Sequence, residues 1–119
     1  MDKKLERIRQ VAKSNGWSLK YRHVAQNNLY VFHFYARDFL DGFAFSVLVN
    51  DSDNEHIFFG NVAKSIFETW QNFNVETETE KYLEKIGCNS RFSAQANKIY
   101  MDVNYYIYNI YCMFFSLSK

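Results

Sequence analysis

The chain has no proline, four glycines and two cysteines among its 119 residues, and each shortage removes a class of explanation. Without proline, no helix carries an enforced internal break. Four glycines scarcely suffice for the loops that cradle phosphates, and no HExxH or GxSxG pattern stands anywhere in the chain. Cys88 and Cys112 lack CxxC spacing and have no histidine at a zinc-finger offset, which excludes a redox pair and a structural zinc site. Free thiols suit a reducing compartment, and the charged N-terminal segment has no apolar leader core, so the expected location is the cytoplasm. Residues 103–118 carry no charge, but Asn104, Asn109, four tyrosines and two serines interrupt a stretch already too short for a membrane span. No metal or other cofactor is expected.

What is abundant is aromatic mass: twelve phenylalanines, nine tyrosines and two tryptophans, 19% of the chain. That amount of apolar surface offsets the entropy of ordering, and the length suits a single domain over residues 1–119 with one core. The net charge of +1 hides an uneven distribution. Residues 1–23 hold seven basic side chains against Asp2 and Glu6, a balance of +5, whereas residues 38–84 hold ten acids against Lys64 and Lys81, a balance of −8. A dipolar surface of this kind steers charged partners, and charged faces also simply keep helices soluble.

Leu5, Ile8, Val11 and Ala12 recur at helical spacing up to Gly16, which suits a left-handed stop, so residues 2–15 read as a first helix with a basic outer face. From Trp17 the period becomes two, with Trp17, Leu19 and Tyr21 alternating with Ser18, Lys20 and Arg22. Residues 29–36 and 43–50 continue as strands after turns at 26–28 and 37–42, giving a three-stranded antiparallel meander. Residues 50–55 read as a loop, after which Val62, Ile66, Thr69, Trp70 and Phe73 share a helical face, with Gly60 obscuring where that helix begins. Asn74 is placed to cap a next helix whose apolar face is Tyr82, Leu83 and Ile86 and whose end is Gly87. Ser90 or Ser93 is placed to cap a long terminal helix, on which Ala96, Ile99, Val103, Tyr106, Ile110, Met113 and Leu117 form a stripe widened by Ile107 and Phe114. The expected class is therefore α+β: an N-terminal helix, a three-stranded antiparallel sheet, then three helices packed on one face.

The helix ending in Trp70-Gln71-Asn72-Phe73, the Asn74-Val75-Glu76 junction with its acidic first turn, and the serine-capped final helix resemble a recurrent class of small proteins encoded by phages and mobile elements. The resemblance covers the last half of the chain and the sheet in outline. Asn74 stands where that class usually has Asp, and Tyr105, Tyr108, Tyr111 and Phe115 stand where it has charged residues. The resemblance implies a non-enzymatic inhibitor of host defence, anti-CRISPR-like, acting by stoichiometric binding to a protein such as a nucleic-acid-processing effector.

No constellation of titratable residues points to catalysis, and none is assigned. His23 and His33 fall in different strands with no nucleophile or carboxylate at a motif spacing. Asp51, Asp53 and Glu55 imitate the start of a calcium loop, but His56 replaces its glycine and Val62 its bidentate glutamate. Three surfaces remain. Tyr105, Tyr108, Tyr111 and Phe115 on the uncharged terminal helix form a partner surface or a homodimer contact if that helix is covered by another molecule, and core if it is the centre of the domain. Glu76, Glu78, Glu80 and Glu84 offer an acidic flank that imitates a phosphate backbone or merely solvates a helix. Lys3, Lys4, Arg7, Lys20 and Arg22, with Trp17 or Tyr21 to stack on bases, define the alternative of a small nucleic-acid-binding module.

Overall fold

The computed structural model describes residues 2–24, 27–37, 43–72, 75–87 and 94–119, the side chains of Asp2, Val75, Glu76, Glu78 and Ala94 excepted. Helix α1 (Asp2–Ser14) leads into strands β1 (Trp17–Val24), β2 (Leu29–Ala36) and β3 (Ala44–Asn50), followed by α2 (Glu55–Asn72), α3 (Val75–Lys85) and α4 (Ala94–Leu117). The α+β order is the expected one. The strands pair antiparallel in the order β1-β2-β3. The turns expected at 37–42 and around Gln26, together with Phe73, Asn74, Cys88 and the capping serines Ser90 and Ser93, lie largely or wholly outside the described residues.

Gly16 ends α1 with a φ of 83° and Gly87 follows α3 with a φ of 80°, both in the left-handed region where a Cβ is disfavoured. Leu5, Ile8, Val11 and Ala12 of α1 are buried against one face of the sheet, which contributes Trp17, Phe32, Phe34, Phe45, Val47 and Val49. Phe58, Phe59, Val62, Ala63 and Ile66 of α2 complete the same core with Ala96, Ile99, Val103, Ile107, Ile110 and Phe114 of α4. Trp17, read above as a possible base-stacking platform, is instead core: it is 1% exposed and meets Phe45 edge-on at 5.0 Å.

Helix α2 begins at Glu55, earlier than the composition of residues 50–55 implies. Asn54 makes this possible, because its Oδ1 accepts the N–H of Ile57 at 3.1 Å and satisfies a first-turn donor. Gly60 consequently lies inside the helix, and a Cβ built there would meet the Cβ of Ser118 at 3.4 Å, an ordinary contact. Gly60→Ala is therefore expected to stabilise the domain by about 1 kcal/mol through helix propensity. Thermal melting followed by circular dichroism would show a rise of a few degrees, and a fall would mean that α4 cannot yield at this contact.

Two further expectations are corrected by the packing. Ile86 lies past the end of α3 and is exposed. Met113 is 44% exposed, and Phe114 takes the core position beside it. The expected stripe kept a repeat of 3.5 residues, which turns by roughly 20° per heptad on a straight 3.6-residue helix, so Met113 falls outside the core while Tyr106 and Leu117 pack only partly against it. The buried row, Ala96, Ile99, Val103, Ile107, Ile110 and Phe114, follows the straight helix instead.

Helices α2 and α4 run antiparallel. His56 Nδ1 lies 3.2 Å from the carbonyl of Leu117 at one end, Phe67 meets Tyr111 midway at 5.4 Å, and Trp70 Nε1 donates to Asn104 Oδ1 at 3.1 Å towards the other. Among the described residues, no helix is long and apolar enough to cross a membrane.

Candidate protein-binding surface

With one side of α4 spent on the core, its other side defines the most unusual surface of the molecule. Met101, Tyr105, Tyr108 and Phe115 are exposed, Tyr105 to 60%, and Cys112 is half-buried among them. Their spacing of four, three, four and three residues is that of a heptad seam, the row a second helix packs against at a shallow crossing angle. Charge appears only at its two ends. Lys98 pairs with Asp102 at 3.2 Å near the start of the helix, and Lys119 sits over the ring of Phe115 at 4.6 Å at the finish. Cys112, by hydrogen bonding and charge, holds the Tyr108 phenol above its ordinary pKa, with desolvation and Tyr111 adding to the rise.

The seam is broadened by α2. Trp70 lies 5.9 Å from Tyr108 and meets Phe67 edge-on at 6.3 Å. The Trp70 indole is locked by its bond to Asn104, whose Nδ2 in turn donates to the carbonyl of Tyr100 at 3.0 Å. Trp70, Tyr100, Met101, Asn104, Tyr105 and Tyr108 thereby line a shallow depression, an apolar socket with a fixed polar floor. Tyr111, grouped above with the outward residues, is only half-exposed and packs into the α2–α4 contact beside Phe67 and Phe115. Phe67, Trp70, Tyr100 and Met101 were not anticipated as members of this surface. For Met101 the signal was present, since it starts the four-three spacing; for the others the α2–α4 pairing was needed.

The acidic flank is only partly placed. Glu84 is exposed and Glu80 half-exposed on α3, while the side chains of Glu76 and Glu78 lie outside the described residues.

The five basic residues of the alternative reading do not converge. Lys4 is corrected outright: it is 8% exposed, its Nζ donates to Asp51 Oδ1 at 2.8 Å and to the carbonyl of Ser52, and it lies over the ring of Phe58. Lys3 and Arg7 line a groove with Glu55, His56, Phe59 and Leu117. Lys20 and Arg22 stand on the opposite face of the sheet, in rows that continue through His33 and Ser46 and through Val31 and Leu48. That face is polar in its centre, where His33 Nδ1 hydrogen-bonds Ser46 Oγ and Lys20 lies 5.5 Å from the centre of the Tyr35 ring.

Asp51 has a structural occupation as well, accepting from Lys4 and from the N–H of Ser52 at 2.8 Å. Among the described residues no three His, Cys, Asp or Glu side chains gather as a metal site. No protein-family model, curated protein or solved structure matches the chain.

Proposed function

We propose that this chain is a non-enzymatic binding domain that captures a protein partner by laying the α4 seam against an α-helix of that partner. The observation that carries the reading is the exposed, uncharged row of Met101, Tyr105, Tyr108, Cys112 and Phe115 at heptad spacing. Large amphipathic rings held in place by their neighbours are the side chains that dominate the energetics of protein interfaces. The socket beside Trp70 adds a fixed receptor for one anchoring side chain. The resemblance to phage-encoded proteins extends the proposal to a stoichiometric inhibitor whose target is a nucleic-acid-processing effector of host defence. A nucleic-acid module is the weaker reading, because Lys4 is consumed within the fold and the remaining basic residues divide between two faces.

The test uses Tyr105→Glu/Tyr108→Glu, since both rings are exposed and neither belongs to the core. At about 2 kcal/mol for each central aromatic, the double variant should bind on the order of 100-fold more weakly or worse, with an unchanged circular dichroism spectrum and melting temperature. Tagged wild-type and variant proteins are compared by capture from nuclease-treated host lysate and by light scattering of the eluted complex. A protein retained by the wild type and lost by the folded variant supports the reading; equal retention by both removes the seam as the contact surface. A mass of two chains for the isolated wild type, reverting to one in the variant, would identify the partner helix as a second copy.

A further inference from the structure

The two edges of the sheet are finished differently. The N–H of Ala36 donates to the carbonyl of Phe43 at 2.8 Å, and the N–H of Arg37 donates to the carbonyl of Gly16 at 2.9 Å. Main-chain groups in an antiparallel ladder alternate sides, so even-numbered residues of β2 face β3 and odd-numbered ones face β1. Carried through the pairing register, this alternation puts the main chain of Ala44, Ser46, Leu48 and Asn50 on the outer edge of β3, and that of Leu19, Tyr21 and His23 on the outer edge of β1. The C-terminal half of the β3 edge is engaged by α2. Ser65 Oγ donates to the carbonyl of Leu48 at 2.6 Å, and Asn61 Nδ2 donates to the carbonyl of Asn50 at 2.9 Å. Among the described residues, nothing bonds the outward N–H and C=O groups of Leu19, Tyr21 and His23.

Charge selects what fits that edge. Lys20 and Arg22 project from β1 on the open face of the sheet, and the guanidinium of Arg9 lies 5.4 Å from the centre of the Tyr21 ring on the other. An added strand alternates its side chains between these two faces and so meets positive charge on both. A second copy is disfavoured, because two-fold pairing through Tyr21 opposes Lys20 and Arg22 of one chain to the same residues of the other. We infer that the β1 edge is a second binding site, separate from the α4 seam, which takes an extended acidic peptide segment of a partner protein by strand addition. The main chain supplies the bonds, and Arg9, Lys20 and Arg22 select acidic side chains.

The experiment is amide hydrogen exchange by NMR combined with fluorescence anisotropy, using as probe a short labelled peptide alternating valine with glutamate. In the free protein the amides of Lys20 and Arg22, bonded to β2, exchange slowly, and those of Leu19, Tyr21 and His23 exchange fast. The glutamate peptide is expected to slow these three amides by roughly tenfold or more. Replacing its glutamates by lysine, or N-methylating its alternate amides, should weaken binding by at least about tenfold. Lys20→Glu/Arg22→Glu should do the same from the protein side. Tyr21→Pro removes an outward N–H but no ladder bond, so a folded variant that no longer binds ties the effect to the edge itself. The proposal is overturned if the three amides gain no protection at the highest soluble peptide concentration, or if the N-methylated peptide binds equally well. It is also overturned if oligouridine, and not the glutamate peptide, binds through Lys20 and Arg22, which would make the surface one for phosphate.

Discussion

Truncating Phe34 to alanine is expected to lower the unfolding free energy by about 4 kcal/mol, a large fraction of what a domain of this size possesses. Phe34 is fully buried on the central strand and stands at the meeting point of the molecule's layers. Its ring stacks on Phe45 at 4.9 Å and 11°, meets Trp17 edge-on at 6.4 Å, and reaches Phe114 of α4 at 6.5 Å. Part of the cost is lost apolar burial and part is the cavity left between rings too rigid to collapse into it. Urea titration followed by tryptophan fluorescence measures the loss. A change below about 1 kcal/mol would show that the aromatic cluster repacks freely and that the core is less specific than its geometry implies.

The second large effect is electrostatic. Asp51→Ala removes the carboxylate that faces the buried ammonium of Lys4 and leaves that charge only the Ser52 carbonyl and the face of Phe58. Breaking a buried pair from one side costs about 3–5 kcal/mol; because Asp51 keeps 24% of its side-chain surface exposed, about 2–3 kcal/mol is expected here. Replacing both partners, Lys4→Met with Asp51→Ala, removes the unpaired charge along with the pair and should recover more than half of the loss. A double-mutant cycle by chemical denaturation isolates the coupling. If Lys4→Met alone is as harmful as Asp51→Ala, the contribution comes from anchoring the segment after β3 rather than from charge burial.

Local chemistry explains which parts of this architecture were legible beforehand. The alternation of Phe43, Phe45, Val47 and Val49 and the helical recurrence of Leu5, Ile8, Val11 and Ala12 each report a single buried face, and both are buried as written. Gly16 and Gly87 mark helix ends because few other residues adopt their backbone conformation cheaply. The start of α2 was obscured because Asp, Asn and Ser favour loops and caps alike, and the cap bond of Asn54 is visible only in three dimensions. Lys4 was misread for a related reason. Its neighbours on the helix are charged, and its partner Asp51 lies 47 positions away. The absence of charge on the terminal helix did mark Tyr105, Tyr108 and Phe115, but a uniformly apolar helix cannot by itself reveal which side is covered. Two interleaved apolar rows share α4, one with the 3.6-residue period of the core and one with the 3.5-residue period of a coiled coil, and only packing tells them apart.

The bonds that Ser65 and Asn61 make to β3 also limit how this protein can assemble. An open-ended fibre of sheets needs a donor edge and an acceptor edge on every subunit, so that each added copy presents a fresh site to the next. Here α2 occupies one of the two edges in part, at the carbonyls of Leu48 and Asn50. A strand running the length of β3 would have to displace those two bonds, so growth from sheet to sheet through that edge is disfavoured while β1 stays accessible to a partner.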